Sequence, residues 1–230
     1  MSYSQIEELK SRIVEIQQKI DRAARNGGRS GKDVTLIAVS KTVDISQAQA
    51  AFDLGIHDFG ENRTQELKSK QQAIPQANWH MIGRLQTNKV KDIVGKAVLI
   101  HSLDSWHLAQ EINKRAQNLN IEMPVLLQVN ISGETQKAGV DPADVRGFLD
   151  SVGELTALRV KGFMTMASLS SAGEESRPVF AELAALRDKF KEKSFSQVEL
   201  KYLSMGMSQD YEVAVEEGAN MVRIGSAIFT

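Results

Sequence analysis

The stretch that decides the fold is Val34-Thr-Leu-Ile-Ala-Val-Ser-Lys-Thr42, an apolar run with β-branched residues that ends in a lysine. Such a run is typical of a strand that is covered on both faces. In a barrel of alternating strands and helices, the active site lies at the carboxyl ends of the strands, where Lys41 is expected. A lysine whose ordinary pKa of about 10.4 is lowered by burial or a nearby cation reacts with aldehydes as a neutral amine. The alternative is a lysine that covers the strand end and reaches solvent.

Hydrophobic periodicity predicts seven more strands after this one, with a helix between each strand and the next. The further strands are predicted at 55–60, 78–83, 97–101, 123–130, 158–163, 199–203 and 219–224. The helices are predicted at 45–54, 61–71, 86–93, 104–118 with an Asp104 cap, from Asp141-Pro142 onward, at 174–193 and at 209–217. Eight strands that alternate with helices favour a single (β/α)8 TIM-type barrel that spans residues 1–230. An open doubly wound sheet usually has only about five or six strands.

An amphipathic helix is predicted before the barrel, in residues 1–27. Ser4 and Glu7 have the spacing of a capping box, and apolar residues then recur every three or four positions. Because the chain ends at Thr230, shortly after the last strand, we expect this helix to pack on the barrel where a closing helix is missing. Its apolar stripe spans only about two and a half heptads, which disfavours a coiled coil.

Composition excludes several classes of function. The chain has 28 basic and 29 acidic residues, so its net charge gives no basis for binding nucleic acid or an anionic membrane. The absence of cysteine excludes disulfides and thiolate zinc sites, and it agrees with a reducing compartment. No apolar run reaches the ~18 residues of a membrane span and no signal peptide is evident, so we expect a cytoplasmic protein.

Motifs for metals and nucleotides are also missing. The four histidines show no paired ligand spacing, and we therefore predict no metal site. The glycine fingerprints of dinucleotide and nucleoside triphosphate sites do not occur, and neither does the nucleophile elbow of hydrolases.

The predicted carboxyl ends of the strands collect polar and cationic side chains at one mouth of the barrel. These residues are Lys41, Asn62, His80, Gly83, His101, Ser102, Asn130, Met164, Thr165, Ser204, Arg223 and Gly225. Barrels often bind phosphate with the loops after strands seven and eight, which here are 204–208 and 225–226. Their glycines and hydroxyls suit phosphate oxygens, and a helix that opens at Ser208 would add its positive end. Ordinary strand-to-helix turns explain the same residues equally well.

A cation is expected inside the barrel, because Arg223 interrupts the apolar run 221–225. An inward guanidinium would need a buried acceptor, supplied either by a carboxylate or by a ligand. An imine-forming lysine, phosphate loops and a central cation together suit a phosphorylated aldehyde, of which pyridoxal 5′-phosphate is the common one. Lys137 is a second amine near the mouth, for which a solvated loop lysine is the favoured interpretation.

Five separated motifs stand in order along the chain. They are Ala38-Val-Ser-Lys41, Phe59-Gly-Glu-Asn62, His80-Met-Ile-Gly83 with Leu85-Gln86 and Asn88-Lys89, Ser204-Met-Gly-Met-Ser208, and Val222-Arg-Ile-Gly225. Together they closely resemble the YggS/PROSC family of pyridoxal phosphate homeostasis proteins, over about residues 34–229. That family resembles the barrel domain of bacterial alanine racemase standing alone. One departure is Thr230, where the family usually has a glycine and a short basic tail.

The resemblance implies how the cofactor, pyridoxal 5′-phosphate (PLP), would be anchored. Lys41 would bind it as a Schiff base. Ser204, Gly225 and Ser226 would hold its phosphate, and Arg223 would face the pyridine nitrogen.

The resemblance also implies residues around the cofactor. Asn62, His80 and Met205 would line the pocket, and Lys137 is similar to a family lysine implicated in handling the cofactor.

The resemblance favours a carrier over an enzyme, with no catalytic residues. Racemisation needs a base on each face of the substrate carbon, and in the racemase the second base comes from a separate domain that we do not find here. An arginine at the pyridine nitrogen also weakens the ring as an electron sink. We therefore expect a monomer that binds PLP reversibly through Lys41, buffers it and passes it to apo-enzymes. The alternatives are a PLP-dependent amino-acid racemase of narrow specificity, with His80 or a loop residue as second base, and an imine-forming aldolase without PLP.

Overall fold

The computed structural model describes residues 1–134, 136–168 and 171–230. Within these residues, eight parallel strands close into a barrel in sequence order, and the last strand pairs with the first. The strands are β1 Thr35–Val39, β2 Asp58–Glu61, β3 Asn78–Met81, β4 Leu99–Leu103, β5 Met123–Gln128, β6 Leu158–Met164, β7 Val198–Ser204 and β8 Met221–Ile224. The predicted (β/α)8 TIM-type barrel is confirmed.

Helices alternate with these strands on the outside of the barrel. They are α1 Tyr3–Asn26, α2 Ile45–Asp53, α3 Thr64–Ala73, α4 Val90–Ile93, α5 Trp106–Asn118, α6 Val145–Ser151, α7 Arg177–Lys191, α8 Tyr211–Glu216 and α9 Ser226–Phe229. Short 3-10 turns lie at Gly31–Asp33, Thr87–Lys89, Val152–Glu154 and Gly173–Ser176. In the part of the chain that the structure describes, none of the helices has the length and apolarity needed to cross a membrane.

The strands are apolar on both faces because each face packs against a different part of the core. One set of strand side chains fills the barrel interior with Ile37, Leu99, Leu126, Met164 and Met221. The alternate set packs outward against the helices in a larger cluster that includes Phe59 and Trp79. Each large apolar side chain buried in this way contributes about 1.5–3 kcal/mol. This double burial explains the continuous apolar pattern of the first strand.

Helix α1 packs against α8 and α9, the position expected for it from the sequence. Its buried stripe consists of Leu9, Ile13, Ile16, Ile20, Ala23 and Ala24. The predicted cap was wrong by two residues, because Ser2 and Gln5 form the capping box in place of Ser4 and Glu7. Arg29, just after the helix, donates hydrogen bonds to the carbonyl oxygens of Val215 and Ala219.

Most of the later helices, in contrast, were predicted to start too early, and α3, α5 and α6 are examples. Glu61 ends β2, so α3 begins only at Thr64. The hydroxyl of Ser105, and not Asp104, accepts the capping hydrogen bond of α5. The segment that begins at Asp141-Pro142 is a turn, and α6 starts at Val145. In each case a polar residue suited to a cap lies within a strand end or turn that precedes the true start.

Candidate functional site

Lys41 and the turn after β8 lie at the same rim of the barrel. Strands β1 and β8 are parallel neighbours, with Ala38 opposite Ile224. Lys41 follows the end of β1 and is exposed, and Gly225 follows the end of β8. A Cβ on Gly225 would lie only 3.1 Å from the carbonyl oxygen of Val39. The turn is therefore in contact with the strand that carries Lys41.

The segments that follow β2 and β3 are tied to each other and to strand β4 at this rim. The carbonyl oxygen of Gly83 accepts a hydrogen bond from the Ser102 hydroxyl at 2.7 Å. Gly83 also packs against the backbone of Asn62, and a Cβ there would lie 2.3 Å from the Asn62 carbonyl oxygen. Asn62 itself is exposed at the end of β2. Glycine is required at position 83 because any side chain would push Asn62 away.

The loops after β7 and β8 are also joined to each other. Ser208 accepts a hydrogen bond from the backbone N–H of Ala227 at 3.4 Å, and Gly206 accepts one from the N–H of Arg223 at 3.0 Å. The prediction of a helix that opens at Ser208 was wrong, because residues 208–210 form a turn and α8 begins at Tyr211. The two loops thus form one hydrogen-bonded surface with glycines and hydroxyls, without a helix end at Ser208.

Arg223 points into the barrel, where it is 4% exposed. Its Nη1 donates to the Ser204 hydroxyl at 2.6 Å, and its Nη2 donates to the Thr165 carbonyl oxygen at 3.0 Å. The sequence predicted a carboxylate or a ligand as the acceptor, whereas a hydroxyl and a backbone carbonyl do this. Burial lowers the pKa of Arg223 to about 10, and the negative charge of Asp210 opposes that shift. At neutral pH the guanidinium is therefore charged.

Two histidines continue this hydrogen-bonded chain through the interior. Ser204 Oγ lies 2.8 Å from His101 Nδ1, and His101 Nε2 lies 2.9 Å from His80 Nδ1. His80 Nε2 lies 3.0 Å from the carboxylate of Asp58. Burial is the main cause that holds the pKa of His101 well below its usual range, and the charge of Arg223 acts in the same direction. His80 thus lies within the barrel, and both of its ring nitrogens have partners.

Asp58 was missed by the sequence analysis, although a signal for it existed. Asp58, His80, His101, Ser204 and Arg223 all occupy positions of their strands that face the interior. Applying the two-residue alternation of strands to every predicted strand would have placed Asp58 with the other four.

A buried ion pair lies behind Lys41, on the outer side of the strands. Lys70 of α3 donates to Glu61 at 2.7 Å and to the Ser40 carbonyl oxygen at 2.5 Å. The Ser40 hydroxyl donates to the same Glu61 oxygen at 2.6 Å. Burial raises the pKa of Glu61, while hydrogen bonds from Lys70 and Ser40 oppose the change. This cluster fixes the backbone immediately before Lys41, and the sequence analysis did not find it.

Two of the other expected site residues have surroundings that differ from the expectation. Met205 is fully buried in the outer apolar cluster between sheet and helices, so its side chain does not face the interior. Lys137 is half-buried and donates to Glu134 at 2.6 Å and to Ser132 at 3.1 Å. It is therefore a paired lysine in the loop after β5, in contrast to the solvated lysine that the sequence favoured. Asn130 lies in the same loop and donates to the Glu134 carbonyl oxygen.

Among residues 1–134, 136–168 and 171–230, no three His, Cys, Asp or Glu side chains are grouped so that they could hold a metal ion.

The closed barrel, with a lysine after β1 and a glycine and a serine after β8 at the same rim, is an α/β barrel of the kind found in the alanine racemase family. The chain belongs to this family, because the sequence model of the family described as "Alanine racemase, N-terminal domain" matches residues 14–230.

Individual relatives give a closer comparison. The chain is 43% identical to the pyridoxal phosphate homeostasis protein of Aquifex aeolicus (strain VF5), over 95% of this chain and 96% of that protein. A protein of unknown function from Bifidobacterium adolescentis has a similar crystal structure, with a TM-score of 0.93 and 32% identity over 100% of this chain and 97% of that one. PipY of Synechococcus elongatus PCC7942, solved with PLP bound, has a TM-score of 0.84 and 33% identity over 96% of this chain and 100% of PipY. The resemblance drawn from the five motifs is confirmed.

Proposed function

We propose that this protein binds PLP reversibly through Lys41 and acts in PLP homeostasis, buffering the cofactor and delivering it to apo-enzymes without robust catalysis. The observation that carries the proposal is the position of Lys41 and the Gly225–Ser226 turn at the ends of two paired strands, with Arg223 in the interior beneath them. The name of the Aquifex relative and the PLP-bound structure of PipY support it.

The donor set at this rim fits a phosphorylated aldehyde. The aldehyde of PLP condenses reversibly with a primary amine, which is the chemistry that the cofactor supplies. Lys41 offers that amine at an exposed position. Gly225 lets the backbone come close to a phosphate oxygen, and Ser226 adds a hydroxyl donor. Asn62, whose backbone packs against Gly83 just after β2, the neighbour of β1, is the proposed contact on that side of the cofactor.

The contacts inside the barrel refine two of the roles implied by the family resemblance. The hydroxyl of Ser204 already contacts Arg223 and His101, so we place it beside the ring-nitrogen end of the cofactor instead of at the phosphate. Met205 packs outside the sheet, so we give it a structural role in holding the loop after β7. Gly225 and Ser226 remain the proposed phosphate contacts.

The interior contacts favour a carrier over a racemase. A guanidinium only donates hydrogen bonds, so Arg223 would leave the pyridine nitrogen without a proton and limit its capacity to withdraw electrons. His80, the candidate for a second base, has Asp58 at one ring nitrogen and His101 at the other. Neither nitrogen of His80 is therefore free to take a proton from a substrate.

Binding is tested by spectroscopy on Lys41→Ala and on a matched control, Lys32→Ala. Lys32 lies in the turn before β1, at the opposite end of the same strand. After PLP is added and the unbound cofactor is removed by gel filtration, we expect the wild type and Lys32→Ala to be yellow and Lys41→Ala to be colourless. Borohydride reduction followed by peptide mass spectrometry should place the adduct on Lys41. A visible band of normal intensity in Lys41→Ala would contradict the proposal.

The absence of robust catalysis is tested separately, with the PLP-loaded wild-type protein. Each amino acid is incubated with it in deuterated water, and deuterium at Cα is measured by mass spectrometry. We expect incorporation no faster than that caused by free PLP at the same concentration. Incorporation at turnover rates would favour the racemase alternative.

We also propose that the protein is a cytoplasmic monomer whose partners are PLP and apo-enzymes that use it. The absence of cysteine and the near-neutral net charge support a reducing compartment without nucleic-acid partners. Light scattering after size exclusion tests the monomer. Mixing the PLP-loaded protein with an apo-aminotransferase, and comparing its activation with that by free PLP, tests delivery.

Lys137 is kept as a secondary contact for the cofactor, because it lies in a loop after β5 at the same rim.

A further inference from the structure

A continuous chain of polar contacts crosses the barrel beneath the proposed PLP site. It begins at Asp58, the first residue of β2, which lies at the amino end of the barrel. It continues through His80 and His101 to Ser204, the last residue of β7, and ends at Arg223. Successive contacts measure 3.0, 2.9, 2.8 and 2.6 Å. All four distances are those of hydrogen bonds.

The residues at the two ends of this series of hydrogen bonds, Asp58 and Arg223, determine which group donates in each bond. A guanidinium can only donate, so Ser204 must accept from Arg223 and can give its single proton to His101. A carboxylate can only accept, so His80 must donate to Asp58 from Nε2. A neutral imidazole carries one N–H, which leaves Nδ1 of His80 to accept from Nε2 of His101. Every hydrogen bond then runs from Arg223 toward Asp58.

Burial supports this neutral arrangement. His101 is fully buried, and burial holds its pKa well below its usual range, so its ring is neutral near pH 7. Arg223 already places one positive charge in the same interior, and Asp58 supplies a negative charge at the far end of the chain. An imidazolium at His101 would add a second buried cation, separated from Arg223 only by Ser204.

We propose that Asp58 is a remote positioning residue for the cofactor site. Its carboxylate holds both histidines in the Nε2–H tautomer. Ser204 then donates its proton to Nδ1 of His101 and accepts a hydrogen bond from Arg223. The guanidinium is then held by Ser204 and by the Thr165 carbonyl oxygen, with its remaining N–H groups directed to a ligand. A bound PLP ring would meet donors from Arg223 and no free hydroxyl from Ser204. The cofactor part of this inference rests on the proposed function.

The first test reads the tautomers directly, in protein without cofactor, by two-dimensional 15N–1H NMR of the imidazole rings. In the wild type we expect protonated Nε2 and unprotonated Nδ1 on both His80 and His101. In Asp58→Asn, the new amide can donate to His80 Nε2, and we expect both rings to change to the Nδ1–H tautomer. The matched control is Asn78→Ala, which removes the other hydrogen bond to the same Asp58 oxygen, at 3.2 Å. This control should keep the wild-type tautomers.

A second variant keeps the test decisive if Asp58→Asn does not fold. Ser204→Ala breaks the chain at its opposite end, and we expect both rings to keep the Nε2–H tautomer because Asp58 sets it. An Nδ1–H tautomer or a doubly protonated ring in the wild type would overturn the proposal. Tautomers that change in Ser204→Ala but not in Asp58→Asn would overturn it as well.

The second test measures PLP affinity and the position of the visible band. We expect Asp58→Asn to bind PLP about tenfold more weakly, the effect of one charge-assisted hydrogen bond, with a shifted band. Asn78→Ala should match the wild type in both. Unchanged affinity and band in Asp58→Asn would overturn the positioning role. If the wild type does not bind PLP at all, the proposed function and the cofactor role of Asp58 fall together, and the NMR result alone then decides the direction of the chain.

Discussion

Gly83 lies so close to Asn62 that a Cβ at position 83 would stand 2.3 Å from the Asn62 carbonyl oxygen and 2.6 Å from its Cα. Both contacts are with backbone atoms of Asn62, so a different side-chain rotamer of Asn62 would not make room for the alanine Cβ. We expect Gly83→Ala to lower the free energy of unfolding by about 1–3 kcal/mol, the usual cost of overpacking. Urea denaturation followed by circular dichroism measures this, and PLP titration should show weaker binding because Asn62 is displaced.

A control for this substitution is available in helix α6. A Cβ on Gly147 meets nothing within 4 Å, and this glycine lies inside the helix. We expect Gly147→Ala to leave PLP binding unchanged and to stabilise the fold by about 0.5–1 kcal/mol, through higher helix propensity. Equal effects of the two substitutions would show that the contact with Asn62 is unimportant.

The buried pair of Lys70 and Glu61 leads to a second prediction, on stability. Their side chains are 7% and 0% exposed, respectively. Lys70→Met would leave Glu61 without its cation, and we expect the free energy of unfolding to fall by about 3–5 kcal/mol near pH 8. Urea denaturation measures the change. The double variant Glu61→Gln/Lys70→Met should recover most of the loss, since no buried charge remains. A double variant as unstable as Lys70→Met would contradict this account.

The same variant has an expected pH dependence. Burial raises the pKa of Glu61, and the hydrogen bond from Lys70 lowers it, so Lys70→Met should raise the pKa further. Above the ordinary glutamate pKa, the unfolded chain releases a proton that the folded chain retains. Stability then falls as pH rises until the folded pKa is reached. The loss caused by Lys70→Met should therefore be smaller at pH 5 than at pH 8, and an equal loss at both would contradict it.

Much of the fold follows from the sequence because its signals are local. The strand from Thr35 to Val39 is apolar on both faces, and this pattern needs only the two-residue alternation of a strand and burial on both sides. Helix starts were less predictable. Ser4 and Ser2 both suit an N-cap, and the choice between them depends on how α1 meets the barrel.

The interior of the site could be predicted only in part. Lys41 and Arg223 stand out in the sequence because each interrupts an apolar strand pattern. Glu61 and Lys70 give no such signal, because their contact depends on how β2 and α3 cross. The partners of Arg223 were also inaccessible to sequence reasoning, since the register in which β7 pairs with β8 brings Ser204 to it.

His101 leads to a third prediction, on acid stability. Its pKa is held well below the usual range mainly by burial, and the charge of Arg223 acts in the same direction. Below about pH 6.5, the unfolded chain binds a proton at this histidine that the folded chain does not. The free energy of unfolding therefore decreases as the pH is lowered, by up to about 1.4 kcal/mol per pH unit. Urea denaturation from pH 7 to pH 5 should show that His101→Gln loses this part of the slope. Parallel profiles for the two proteins would contradict the assignment.

Lys137 leads to the last prediction, which concerns the choice between two amines. The Lys137 hydrogen bond lowers the pKa of Glu134, which keeps the carboxylate charged and paired with the ammonium. A paired ammonium is a poor nucleophile, whereas Lys41 is exposed at the end of β1. Borohydride reduction with PLP should therefore label Lys41 in the wild type. In Glu134→Gln the fraction of label on Lys137, measured by peptide mass spectrometry, should rise at least about threefold, since the lysine loses its charged partner. The control Glu154→Gln alters a carboxylate in the turn after α6, and it should leave the distribution unchanged. Equal labelling of Lys137 in all three proteins would mean that the ion pair does not protect it.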